Sequence, residues 1–174
     1  DFDGMDIIKK QKNIKWSLTN TFISSEEDIQ AAGIARFNRM CRFYLEQGYD
    51  VNKAEGKNEQ PFSPILAELS LTPYPGFILE TDAEWSVYKS DFVSHNLKTI
   101  IRTDSGHALL LEYRNTEKNA ENAETGLVYD TAIESFKSGL EISLTSQIKA
   151  YGLFEKDIYN GKTIETLGGI RYIK

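Results

Sequence analysis

SSEEDIQAAGIARFNRMCRFYLEQG, running from Ser24 to Gly48, is the stretch on which the fold class turns. Ser24 precedes Glu27 by three residues and Ser25 precedes Asp28 by three. At that spacing a hydroxyl and a carboxylate satisfy the free amides of a helix start. Ile29, Gly33, Phe37, Met40 and Tyr44 then recur at helical steps, which gathers them on one face, and Gly48 supplies a stop. The spacing predicts a helix from about Glu26, with Phe37, Met40 and Tyr44 turned to the core.

Outward from this helix the signals change. Residues 1–23 form an N-terminal extension in which Lys9, Lys10, Lys12 and Lys15 interrupt the apolar positions without a clear period. Residues 52–62 are polar and rich in turn formers, so they read as an exposed loop. Ser63 and Pro64 are a helix entry, with Ile65 to Leu69 as one short helix. From Phe77 the period falls towards two. Phe77–Glu80, Trp85–Lys89, Leu97–Arg102 and His107–Arg114 are rich in β-branched, aromatic and apolar residues. Thr103 to Gly106 joins the last two as a hairpin with Gly106 left-handed. Residues 115–125 read as a second exposed loop, Gly126–Tyr129 as a returning strand, and Thr131 as the cap of a short helix to about Ser138. Ile142–Phe154 fits helix and strand equally. Asn160 and Gly161 turn a two-residue hairpin that joins Ile158–Tyr159 to Lys162–Leu167, with Ile170–Ile173 as the last strand after a bend at Gly168 and Gly169. The expected fold is therefore a single α+β domain over 1–174, an N-terminal helix packed on a curved, mainly antiparallel sheet with one or two short inserted helices.

The bulk numbers bound function by exclusion. The chain has 174 residues, 40% of them hydrophobic, and a net charge of -6. That length and composition support one folded, water-soluble core. An acidic surface argues against non-specific nucleic-acid binding, which needs a concentrated Lys/Arg face. Cys41 is the sole cysteine, so a disulfide framework or multi-thiolate zinc site is excluded, and it is expected in the core. The longest apolar run, Ala108 to Leu111, is far below the roughly 20 residues of a spanning helix, so no membrane-spanning segment is expected. The chain begins at Asp1, and the compartment stays open, to be decided by any upstream signal or anchor.

Few residue patterns point to chemistry. Asp1-Phe2-Asp3-Gly4 resembles the nucleophile motif of the haloacid-dehalogenase-like phosphatases over four residues. That family's buried preceding strand and later paired acidic motif are missing, so a chain terminus accounts for it better. Asp104, Glu112 and Arg114 are similar to the metal-binding strand of certain nucleases. Along a strand, however, Asp104 and Glu112 would stand about 26 Å apart. His95 and His107 lack a base-and-orienter arrangement, and there is no nucleophile elbow around any serine.

Two groups suggest binding. Arg36, Arg39 and Arg42 make a basic stretch on the polar side of the helix, suited to an acidic partner or a phosphate. Tyr74, Phe77, Trp85 and Tyr88 cluster around Pro73 and Pro75 and could line a binding surface. The reading is a non-enzymatic binding or protein-interaction domain of adaptor, accessory or immunity type, without cofactor or metal, whose partner is another protein. The alternative is a small-molecule binder or enzyme with a pocket between helix and sheet, using Glu80, Asp82 or Glu112. The metal-dependent nuclease stands third.

Overall fold

In the computed structural model, residues 12–26, 36–55, 60–118 and 132–173 are described. They form one nine-stranded sheet in which every strand pairs antiparallel with its neighbours in sequence, in the order β1 to β9. The strands are β1 Asn13–Glu26, β2 Arg36–Asp50, β3 Ile65–Leu71, β4 Phe77–Ser86, β5 Asp91–Arg102, β6 Ala108–Thr116, β7 Ile133–Ser143, β8 Ile148–Asp157 and β9 Lys162–Tyr172. The helix among the described residues is the single turn α1, Val51–Ala54, capped by the Asp50 carboxylate on the amides of Asn52 and Lys53. The α+β expectation is overturned: the protein is a β-meander.

The decisive stretch shows why. Residues 36–48, predicted helical, are most of β2, and residues 27–35 of that prediction lie outside the described residues. Helical spacing from Ile29 to Tyr44 coincides there with a second pattern of period two. Phe43 and Leu45 alternate with Arg42, Tyr44 and Glu46, and this pattern wins because β2 pairs with β1 along its length and with β3 over Cys41–Glu46, which takes up its backbone groups there on both sides. Phe37, Met40 and Tyr44 therefore do not share a core-facing helix. Met40 is exposed, and Tyr44 lies among charges.

The two short helices fail for the same reason. Ile65–Leu69 belongs to β3, and the segment read as a helix from Thr131 is β7 from Ile133 onward. The uncertain extension supplies β1, while Asn115 and Thr116 of the second loop extend β6. The strand read at Trp85–Lys89 stops at Ser86, and Val87–Ser90 turn the chain. The ambiguous Ile142–Phe154 is the β7–β8 hairpin. The proposed strand at Gly126–Tyr129 lies outside the described residues.

The turn glycines are found in place, but Ile158 and Tyr159 belong to the β8–β9 turn rather than to a strand, and β9 runs unbroken through Gly168 and Gly169 because both keep their pairing to β8. Gly106 has φ +82° and closes the β5–β6 hairpin by donating its amide to the Thr103 carbonyl, and Gly161 has φ +68° in the β8–β9 turn. β6 is an inner strand, flanked by β5 and β7.

What the sheet lacks is a conventional core. Among the described residues Leu66 and Val93 are the buried apolar side chains, and none is fully buried. Cys41, expected in a core, is only partly covered.

Candidate functional site: a sheet with one apolar and one charged face

Directly opposed residues of an antiparallel pair point to the same side, so the register sorts every strand into two faces. One face carries Ile14, Trp16, Leu18 and Phe22 of β1, then Phe43 and Leu45 of β2. It continues through Leu69 and Leu71, Leu79 and Trp85, Leu97 and Ile101, Leu109 and Leu111, and Phe136 and Leu140 to Phe154 and Ile170. Away from the bulged end of β1 and β2, its only charged residues within the registered strands are Glu134 and Lys156.

The opposite face is ionic. Seven of the eight ion pairs among the described residues lie on it: Lys15–Glu46, Arg42–Glu68, Lys98–Glu80, Arg114–Glu112, Lys137–Glu155, Lys149–Glu141 and Arg171–Glu141. Glu80, Lys98, Glu112, Lys137 and Glu155 stand directly opposite one another from strand to strand, one row of alternating sign. Such pairs each add little, but a row in alternating sign fixes register. Beside it runs an uncharged row, Ile78, Ile100, Leu110, Gly139, Leu153 and Leu167. Ile100, Leu110, Gly139 and Leu153 of this row line a hollow of about 570 Å³ edged by Arg102 and Arg171.

Large apolar side chains stand open on one face, while the charges of the other are exposed but paired. Ile170 is 73% and Phe22 60% exposed on the apolar face. Proton affinities follow the ion pairs. The Tyr44 phenol is pushed up, chiefly because it donates a 2.7 Å hydrogen bond to Glu46, and that bond and Lys15 hold the Glu46 carboxyl down. Lys149 lowers Glu141, and Glu155 raises Lys137. Tyr113 is raised by burial first and by its bond to Glu134 second.

The residues singled out from sequence do not form one site. Tyr74 packs on Phe77 (ring centroids 5.5 Å apart) at one end of β4. Trp85 packs edge-on to Phe92 at the other end (4.8 Å), where the Tyr88 hydroxyl accepts the Phe62 amide. Eight residues of strand, about 26 Å, separate Phe77 from Trp85. Arg36 pairs through its backbone with Glu26 at the sheet end. Arg39 and Arg42 come together over an acidic hollow of about 450 Å³ with Glu68, Glu80 and Asp82. The Arg42 guanidinium sits 3.0 Å from Glu68 and 5.3 Å over the Tyr44 ring. A pocket between helix and sheet is not formed, because the described residues contain no such helix.

Of the candidate catalytic carboxylates, Glu80 bonds Lys98, Asp82 accepts from Asn96 at 2.7 Å and Glu112 pairs with Arg114. Among the described residues no three His, Cys, Asp or Glu side chains converge to hold a metal ion. The ionic row is the feature that local reading of the chain passes over. Its signal is the strict alternation of Lys98, Ile100 and Arg102 with Leu97, Thr99 and Ile101 along β5.

The fold and its two faces define an up-and-down antiparallel sheet protein that segregates apolar from ionic side chains across its thickness. The chain belongs to the LPS transport system D (LptD) family, whose sequence profile matches residues 1–161. No curated protein matches the chain. Among the described residues no helix is long and apolar enough to cross a membrane.

Proposed function

We propose that this sheet is a stretch of wall in a membrane-spanning β-barrel that serves LPS transport, with its apolar face towards lipid and its ionic face towards an aqueous interior. The single observation that carries the reading is the uncovered apolar face. Large aliphatic and aromatic side chains stand uncovered on one face while charges pair on the other, which is the pattern a bilayer selects. Strands β4 to β9 are 9 to 12 residues long, close to the 9–11 that cross the hydrocarbon tilted. Sequential antiparallel order is the order of up-and-down barrels. The family match supports LPS as the cargo. The interaction-domain expectation is thus recast: Arg39, Arg42 and the ionic rows face the lumen, where saccharide, phosphate or a partner protein would meet them.

Trp16, 47% exposed, and Trp85 lie on the apolar face and report on it directly. When the chain is folded into phosphatidylcholine vesicles, chain-brominated phosphatidylcholine should quench their fluorescence and aqueous acrylamide should not. Acrylamide quenching without bromine quenching would overturn the proposal.

A further inference from the structure

The apolar face is not uniform. In the row Leu140, Gly152, Gly168, two adjacent strands lose their side chains at the same level. Gly152 lines a hollow of about 570 Å³ flanked by Leu109, Ile142, Ala150 and Phe154, and Gly168 stands opposite it on β9. Nothing in the backbone demands glycine there. Neither residue has positive φ, and an added Cβ would meet nothing closer than the Leu167 carbonyl at 3.9 Å from position 152 and the Tyr151 carbonyl at 3.7 Å from position 168. Gly169 on the other face differs, since a Cβ there would lie 2.7 Å from the Tyr151 hydroxyl. Glycine at 152 and 168 therefore keeps space open rather than relieving strain.

On the same face, four residues along β8 from Gly152 and about 13 Å away, stands Lys156. It is exposed, opposite Phe136 and Thr163, and has no carboxylate within ion-pair distance among the described residues. Glu134, the other charge on this face, accepts a hydrogen bond from Tyr113 instead. A lysine at a strand end beside an aromatic is placed to reach the headgroup level of a bilayer.

Resting on the membrane reading above, we propose that this part of the wall binds one phosphorylated, acylated lipid of the surrounding bilayer. An acyl chain lies in the hollow at Gly152 and the phosphate meets the Lys156 ammonium. The hollow is lined mostly by apolar residues, and the one lysine or arginine on this face of β7 to β9 among the described residues, Lys156, stands beyond Phe154 along β8. That arrangement matches a lipid with an anionic headgroup and gives a zwitterionic one no such preference.

The test uses the chain in vesicles with Trp16→Phe, Trp85→Phe and Phe154→Trp, leaving one fluorophore beside the hollow. Chain-brominated phosphatidic acid should bind about three- to fivefold more tightly than chain-brominated phosphatidylcholine, the scale of one headgroup–lysine contact. Lys156→Gln should bring the ratio to about one and Lys156→Arg should keep it. Gly152→Leu should weaken quenching by both lipids. A ratio of one in the parent, or one unmoved by Lys156→Gln, overturns the lipid site. Absence of quenching by either lipid at position 154 overturns the membrane reading itself. Should the triple variant not fold, the native chain extracted from vesicles of both lipids in mild detergent should retain phosphatidic acid preferentially, and Lys156→Gln should not. Equal retention of both lipids by the native chain overturns the proposal.

Discussion

Gly76 ends the β3–β4 turn with φ +91°, and its carbonyl accepts the Arg102 amide at 2.6 Å. A Cβ built there would sit 2.3 Å from the Arg102 carbonyl oxygen, which is backbone and cannot swing aside. Gly161 is left-handed too, at φ +68°, yet its Cβ would meet nothing within 4 Å. The pair separates two penalties that glycine avoids. Gly161→Ala should cost about 1–2 kcal/mol, the left-handed penalty alone. Gly76→Ala should cost clearly more, because the β4–β5 pairing must also shift. Urea midpoints of the two variants check this, and equal losses would mean that the Gly76 contact relaxes freely. Residues of this kind are legible in sequence as turn formers. Which of two turn glycines also sits against a neighbouring strand is not, because Arg102 is 26 positions away from Gly76.

Strands here are recognised by chemistry that alternates, and β7 and β8 show how one face is stabilised. Glu141 is shared by Lys149 and Arg171, both at 2.6 Å, and Lys149 holds its carboxyl below the ordinary value. A carboxyl lowered in the folded state contributes stability that is present above its unfolded value, near 4.5, and lost as pH falls through the lower folded value. Between pH 6 and pH 3 the parent should therefore lose more stability than Glu141→Gln, measured by urea unfolding at each pH. Parallel losses in the two chains would show that Glu141 is not linked to folding. The same element scale explains the misread helix. Ile29, Gly33, Phe37, Met40 and Tyr44 fit period 3.6, and Cys41, Phe43 and Leu45 fit period two over the same stretch. Local sequence cannot choose between them, and pairing with β1 and β3 does. The hairpins at Thr103–Gly106 and Asn160–Gly161 were legible because two or three turn residues determine them.

At the scale of the whole molecule, a meander places alternate connections at opposite ends of its strands. Residues 87–90 and 158–161 lie at one end, and 72–76, 103–107 and 144–147 at the other. If the sheet spans a bilayer, these ends are on opposite sides. In a Cys41→Ser background, Ser90→Cys and Asn160→Cys should share one accessibility to a membrane-impermeant maleimide. Asp104→Cys and Ser146→Cys should show the reverse until the vesicles are permeabilised. Equal labelling of all four in sealed vesicles would count against a spanning sheet.

By itself the sequence determined the β-rich middle, the left-handed Gly106, the turn at Asn160 and Gly161, and the shortness of its longest apolar run. Each of these depends on residues close together in the chain or on composition. Tertiary structure alone decided that 36–50 is a strand, that Tyr74 and Phe77 part from Trp85 and Tyr88, and that lysines and glutamates far apart in sequence line up in one row. It also decided the sense of the fold. The 40% hydrophobic content reads as a buried core when water is assumed outside. Register instead sets many of the same residues on one open face, with charged neighbours paired on the other. Composition counts apolar side chains, and only strand pairing determines which way they point.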